Sequence, residues 1–309
     1  MTPVLFDESG LAAVMPSRFL GLWSQWQRAA RAARDLALPE LHTEAAVPRE
    51  RVQAQALDTV AVIPVHGVIS KRASMWSEIL GGTSLDLLSL QLAQARDDTS
   101  TRSIVLHVDS PGGGVYGIDE MANQIAELNK HKPVIAFVDG LGASAAYWLI
   151  AGASHIVATP SAELGSIGVY AVHFDTSRAL DQEGVTPTLI KAGEFKAEAN
   201  PYQPLSDEDR EAMQQRIDAH YTRFVSRIAK GRGVSAGKVR ESFGRGRVLD
   251  ATQAEACGMA TEIGGWPDVL RIATTEARTR AHTTQQQPRP RVASAESLRL
   301  QLAMAEAAI

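Results

Sequence analysis

The chain has 309 residues, 45% of them hydrophobic and 21% charged. That balance excludes wholesale disorder or a fibre and leaves one large globular domain or two smaller ones. Lys and Arg number 31 against 35 Asp and Glu, a formal charge of −4, so no global attraction draws the chain to nucleic acid. The single cysteine, Cys257, excludes an internal disulfide and a cysteine-built zinc site, and its helical setting is that of a small buried apolar residue. No run of about 18 apolar residues offers a membrane span. The acidic start, with Asp7 and Glu8, lacks the basic and apolar parts of a signal peptide. The expectation is a soluble, cytoplasmic protein with no stable membrane anchor.

In chain order, Ser17 to Leu38 carries Phe19, Leu20, Leu22, Trp23 and Trp26 on one side and Arg28, Arg31 and Arg34 after them. The pattern predicts an amphipathic helix that packs on the body or a neighbouring subunit, or one that lies on a membrane surface. Pro39 and Pro48 punctuate a linker, which closes an N-terminal extension over 1–56. Alternating elements follow over 57–268: a strand at Val60–Val65, a helix at Leu85–Arg96, a strand at Ser103–Val108 and a helix at Gly117–Asn129. A strand at Pro133–Val138, a helix starting at Ala145 and a strand at His155–Ala158 complete the run. Strands separated by helices predict parallel βαβ units, and such sheets place ligands beyond the carboxyl ends of their strands. Residues 269–309 read as a tail, with a low-complexity disordered stretch at Thr283–Arg291 and a short helix at Ser294–Ile309.

Two strand ends carry candidate chemistry. Asp109 to Gly114 reads as a loop in which Gly112, Gly113 and Gly114 leave backbone N–H groups unobstructed. It is no phosphate loop, because no Gly-Lys-Ser/Thr follows, and Gly-x-Gly-x-x-Gly is absent. Gly140 to Trp148 places Ser144 where a glycine-rich turn enters a helix, a position that fits a nucleophile or a plain N-cap. A serine nucleophile needs a base. His107 precedes the glycine segment, but a side chain inside a strand suits packing. The alternative is Lys196, in a loop between an extended run, Pro187–Ile190, and a helix. No His-Glu-x-x-His motif is present, and no metal or cofactor is called for.

The order of these segments resembles the signal peptide peptidase A family of serine peptidases. The matching stretches are Asp109–Val115, Ala143–Tyr147, Leu164–Val169 and Gly193–Lys196, followed by Gly246–Asp250 and Ala254–Gly258. Ala145 and Ala146 replace the Gly-Gly that often follows the serine, and alanine keeps the N–H. The resemblance implies an α/β Clp-protease/crotonase-like fold and a Ser–Lys endopeptidase working through an acyl-enzyme. It makes Ser144 the nucleophile, Lys196 the general base and acid, and Ser166 the residue that orients the lysine. Gly113 and Ala145 supply the oxyanion N–H groups, with Gly112, Gly114, Ile167, Gly168 and Val169 along an extended peptide substrate. A lysine acts as a base only when neutral, which burial favours and the flanking Glu194 and Glu198 oppose.

Within this resemblance, the tailed-phage head maturation proteases are the favoured branch, with capsid or scaffold protein as partner and substrate, a homo-oligomeric ring, and the host cytoplasm or procapsid interior as location. The alternatives are a bacterial signal-peptide-degrading peptidase, a crotonase-type acyl-CoA enzyme with Glu120 or Asp139 as poor candidate carboxylates, and a non-catalytic assembly protein.

Overall fold

The structure is a computed structural model, and it describes residues 11–14, 55–57, 59–73 and 81–286. The helix expected at 17–38, the helix at 294–309 and most of the low-complexity stretch lie outside the described residues.

Eleven strands form one mixed sheet among the described residues. They are β1 (Leu11–Val14), β2 (Gln55–Leu57), β3 (Val60–Ser70), β4 (Gly82–Ser84), β5 (Ser103–Gly114), β6 (Val134–Ala143), β7 (His155–Ala158), β8 (Glu163–Gly165), β9 (Tyr170–Ala171), β10 (Val248–Asp250) and β11 (Glu262–Ile263). The helices are α1 (Leu85–Asp97), α2 (Ile118–His131), α3 (Ala145–Ile150), α4 (Ser177–Gln182), α5 (Asp207–Arg232), α6 (Ala236–Ser242), α7 (Ala251–Cys257) and α8 (Trp266–Gln286).

The central strands are parallel, as the alternation predicts. β3 pairs β5, β5 pairs β6, β6 pairs β7 and β7 pairs β11. Apolar, β-branched runs in β5 and β6 are buried on both faces, the usual condition of a parallel sheet. Ile104, Leu106 and Val108 join the larger core cluster, which contains α1, α2, α3 and α5 residues. Val105, Ile135, Phe137 and Val157 face the other way, toward Val269, Ile272 and Ala273 of α8.

Helix boundaries follow local chemistry. The Ser206 hydroxyl accepts a hydrogen bond from the Asp209 N–H at 3.0 Å and opens α5, whose first turn is acidic and whose end is closed by Gly233 at φ +64°. The Asp250 carboxylate accepts from the Gln253 N–H at 2.8 Å and opens α7. Cys257 ends α7 half-buried, less enclosed than its helical pattern suggests.

The structure departs from the sequence reading in three further places. Residues 109–114 and 140–143, read as loops, remain extended within β5 and β6. Their glycines serve close strand approach: a Cβ on Gly113 would lie 1.8 Å from the Ile69 carbonyl oxygen of the neighbouring strand. The run Pro187–Ile190 forms no strand and is exposed. Finally, α8 runs from Trp266 through Gln286 and crosses the point where composition placed the start of a tail.

Trp148 of α3 and Phe224 of α5 stack with ring centroids 4.4 Å apart and planes 8° apart, and both are buried. This contact fixes the helix that begins at Ser144. Trp148→Ala is expected to cost about 3–5 kcal/mol of stability, read as a lowered urea midpoint. Burial, then the neighbouring His107, hold the His66 imidazole below its ordinary pKa of 6.5. The unfolded chain therefore takes up the proton first. Stability contributed by neutral His66 is complete above pH 6.5 and declines as pH falls toward the lower folded value, a slope that His66→Gln is expected to reduce in urea titrations at pH 5 to 7.

Candidate active site

The site lies where β5 and β6 part. They pair from Ile104↔Val134 to Val108↔Val138 and meet last at Ser110↔Gly142. Beyond that, β6 takes β8 as its neighbour through Leu141↔Glu163, Gly142↔Leu164 and Ala143↔Gly165. β5 pairs β3 on one side through Val68↔Gly112 and Ile69↔Gly113, and β1 on the other. A parting between parallel strands at their carboxyl ends creates a crevice walled by backbone.

Two side chains that sequence reasoning passed over set the shape of this crevice. The Ser110 hydroxyl donates to the Gly67 carbonyl at 2.6 Å and accepts from the Gly112 N–H at 3.1 Å. It thereby holds Gly112 at φ +98°. The Asp109 carboxylate accepts from the Leu141 N–H at 3.1 Å and ties the end of β5 to the glycine turn of β6. Gly140 in that turn has φ +114°, and a Cβ there would lie 2.8 Å from Asp109 Oδ1. The signal was present in the sequence: Asp and Ser immediately before Pro-Gly hydrogen-bond neighbouring backbone in turns.

Ser144 sits between β6 and α3 with φ 53° and ψ −122°. A non-glycine residue held there carries about 1–3 kcal/mol of strain, and such outliers cluster at active sites. A sharp strand-to-helix turn of this kind is the geometry that presents a nucleophile. The strain is held by surroundings. The Ser144 N–H donates to the Gly165 carbonyl at 2.7 Å, and its own carbonyl accepts from the Trp148 N–H at 3.0 Å. All six α3 residues are buried. The Ser144 side chain is enclosed, the residue being 1% exposed, and its hydroxyl has no hydrogen-bond partner. A buried hydroxyl left without a partner is uncommon and calls for a functional account.

Ser166 repeats the pattern beside it, with φ 52° and its N–H donating to the Arg247 carbonyl at 2.8 Å. Gly165 is confined by the same carbonyl, which a Cβ would approach to 2.6 Å. Ile167 is buried, Gly168 borders open space and Val169 packs on the main core. Ala145, first residue of α3, is buried directly after Ser144.

Lys196 is placed differently. It is exposed, in a turn where its own N–H donates to the Gly193 carbonyl at 3.3 Å, and Gly193 has φ +96°. The partnerless Ser144 hydroxyl shows that the Lys196 amine does not engage it in this structure. Six exposed apolar side chains share the segment around the lysine: Phe174, Val185, Leu189, Ile190, Phe195 and Tyr202, with Ile190 96% exposed.

His107 is not an alternative base for Ser144. It stacks on Phe137 at 5.6 Å and lies 6.0 Å from Trp266, on the α8 side of the sheet, with Asp139 at 3.5 Å from Nε2. Among the described residues no cluster of His, Cys, Asp and Glu is arranged to hold a metal ion, and no helix is long and apolar enough to cross a membrane.

Residues 67–164 match the model for Clp protease, in keeping with the Clp-protease-like α/β arrangement of strands and helices. Capsid assembly protease C of Escherichia phage lambda is 32% identical over 225 residues, 73% of this chain and 51% of the relative. A putative signal peptide peptidase SppA of Enterococcus faecium is 34% identical over 181 residues, 58% of this chain and 52% of the relative. Protease 4 of Salmonella typhi is 30% identical over 221 residues, 71% of this chain and 35% of the relative. The chain thus spans about half the length of the first two and about a third of the last. Residues 126–280, half of the chain, match the model for peptidase family S49, and the chain belongs to that family.

Proposed function

We propose that the chain is a serine endopeptidase that hydrolyses peptide bonds through an acyl-enzyme, with Ser144 as nucleophile and Lys196 as general base. The observation that carries this reading is Ser144 itself, a strained residue at a strand-to-helix turn with an enclosed, unpartnered hydroxyl beside a glycine-lined strand end. Membership of a peptidase family supports it.

In the first step the neutral Lys196 amine takes the hydroxyl proton as Ser144 Oγ bonds to the scissile carbonyl carbon. The oxyanion is met by backbone N–H groups. The Gly112 N–H is already taken by Ser110, which favours Gly113, with Ala145 as the second donor. The lysine then gives its proton to the leaving amine, and water repeats the cycle to release the acid. Ser166, whose backbone is anchored next to that of Ser144, is the proposed partner that orients the lysine.

This chemistry requires the segment carrying Lys196 to close over Ser144, and closure answers two problems together. It brings the amine to the hydroxyl, and it removes the exposed apolar side chains and the lysine from water, which favours the neutral amine. Packing against neighbouring copies in a homo-oligomeric ring is the arrangement we favour for that burial. The substrate we favour is a capsid or scaffold protein, since the phage lambda relative, 32% identical over 225 residues, is named a capsid assembly protease. The procapsid interior or host cytoplasm is the matching location.

Ser144→Ala and Lys196→Ala are each expected to lower cleavage of a fluorogenic peptide by about 10³-fold or more with the urea midpoint preserved. Full activity in purified Ser144→Ala protein would end the assignment. Gly113→Ala must move the glycine strand away from Ile69. A fall in kcat of about 10²-fold, with KM little changed, is expected from loss of the oxyanion donor. Light scattering on the active protein is expected to give a multiple of the chain mass, and a fully active monomer would count against the ring.

A further inference from the structure

β1 sits where the catalytic reading would put a substrate. It runs antiparallel to β5, with Ala12, Ala13 and Val14 opposite Gly114, Gly113 and Gly112. On its other side it runs antiparallel to β9, with Leu11 opposite Ala171 and Ala12 opposite Tyr170. A peptide bound by strand addition needs those same two edges. The register also defines which residue faces which amide. Antiparallel pairs alternate between hydrogen-bonded and non-bonded. The Gly112 N–H is held by the Ser110 hydroxyl, so the bonded pair is Ala13 with Gly113. The alternation then turns Ala12 toward Tyr170, which agrees with the β9 register. The Ala13 carbonyl therefore faces the amide assigned above to the oxyanion. Ser144 is 1% exposed in this arrangement, so an incoming substrate carbonyl cannot reach it without displacement of what surrounds it.

We propose that Leu11–Val14 is a built-in occupant of the substrate strand, aligned with Ala13 at the residue whose carbonyl is attacked, and that an outside substrate must displace it. The proposal rests on the peptidase reading for the identity of the groove. It adds a substrate class: the occupant Leu-Ala-Ala-Val is uncharged and carries only methyl side chains at its two central positions. The site accordingly takes extended segments of small apolar residues, with alanine before the cleaved bond. A tethered occupant competes at a high effective concentration, and it reduces apparent affinity in proportion to the fraction of time it stays in place.

The test uses the full chain and Ala13→Pro. Proline removes the strand N–H at residue 13 and is excluded from a strand paired on both sides. Two readouts are taken: hydrogen exchange at the amides of Gly113 and Tyr170, and hydrolysis of acetyl-Leu-Ala-Ala-aminomethylcoumarin. The expected result is exchange about tenfold faster at both amides, and KM about tenfold lower with kcat nearly unchanged, the size expected from losing one or two ladder hydrogen bonds. Retained protection across 134–138 reports that the fold is intact. Unchanged exchange, or an unchanged KM in a protein that cleaves the probe, overturns the proposal and leaves the peptidase reading standing. If neither protein cleaves any peptide, the peptidase reading fails, and the exchange comparison alone decides whether β1 holds the groove.

Discussion

The arrangement at the strand ends depends on one constraint: β5 and β6 must separate after Ser110 and Gly142 while each remains hydrogen-bonded. Unpaired buried N–H and C=O groups are costly, so strands that part need new neighbours. β6 finds β8, and β5 keeps β3 and gains β1. The parting also needs backbone that side chains would obstruct. Gly113 lies against the Ile69 carbonyl, Gly140 against the Asp109 carboxylate and Gly165 against the Arg247 carbonyl. These glycines are packing solutions, and the crevice that holds Ser144 follows from them.

The parallel core was legible because its signal is strong. Apolar, β-branched runs at 103–108 and 133–138 and helical periodicity at 85–96 and 117–129 correspond closely to β5, β6, α1 and α2. The glycine segments were misread as loops, since glycine marks turns more often than it marks close strand contact. β8, β9 and β11 are two or three residues long, too short for any periodicity to register. β1 was invisible for a different reason: Leu-Ala-Ala-Val carries no alternation of apolar and polar residues, and its two alanines are poor strand formers, yet two neighbouring edges pair with it.

At the strand ends, the sequence singled out Ser144 and the glycine segment through their order along the chain, and the structure adds the backbone strain at Ser144 and the hydrogen bonds of Asp109 and Ser110. The lysine arm marks the limit of that legibility. No local pattern specifies how far a turn around residue 196 lies from a serine 52 positions earlier, because that distance is set by packing of the arm. Its apolar side chains are exposed in this structure. Pattern along the chain reads elements; the joining of two remote elements is decided by surfaces.

The hydrogen bonds around Ser144 reach far along the chain. Its amide is held by the carbonyl of Gly165, and the next amide, that of Ser166, is held by the carbonyl of Arg247. The elbow is therefore braced by a residue made more than a hundred positions later. A nascent chain carries the serine long before it carries the brace, so the turn cannot be held in this form until the residues around 247 have been made. The order of synthesis itself thus separates the making of the serine from the setting of its backbone.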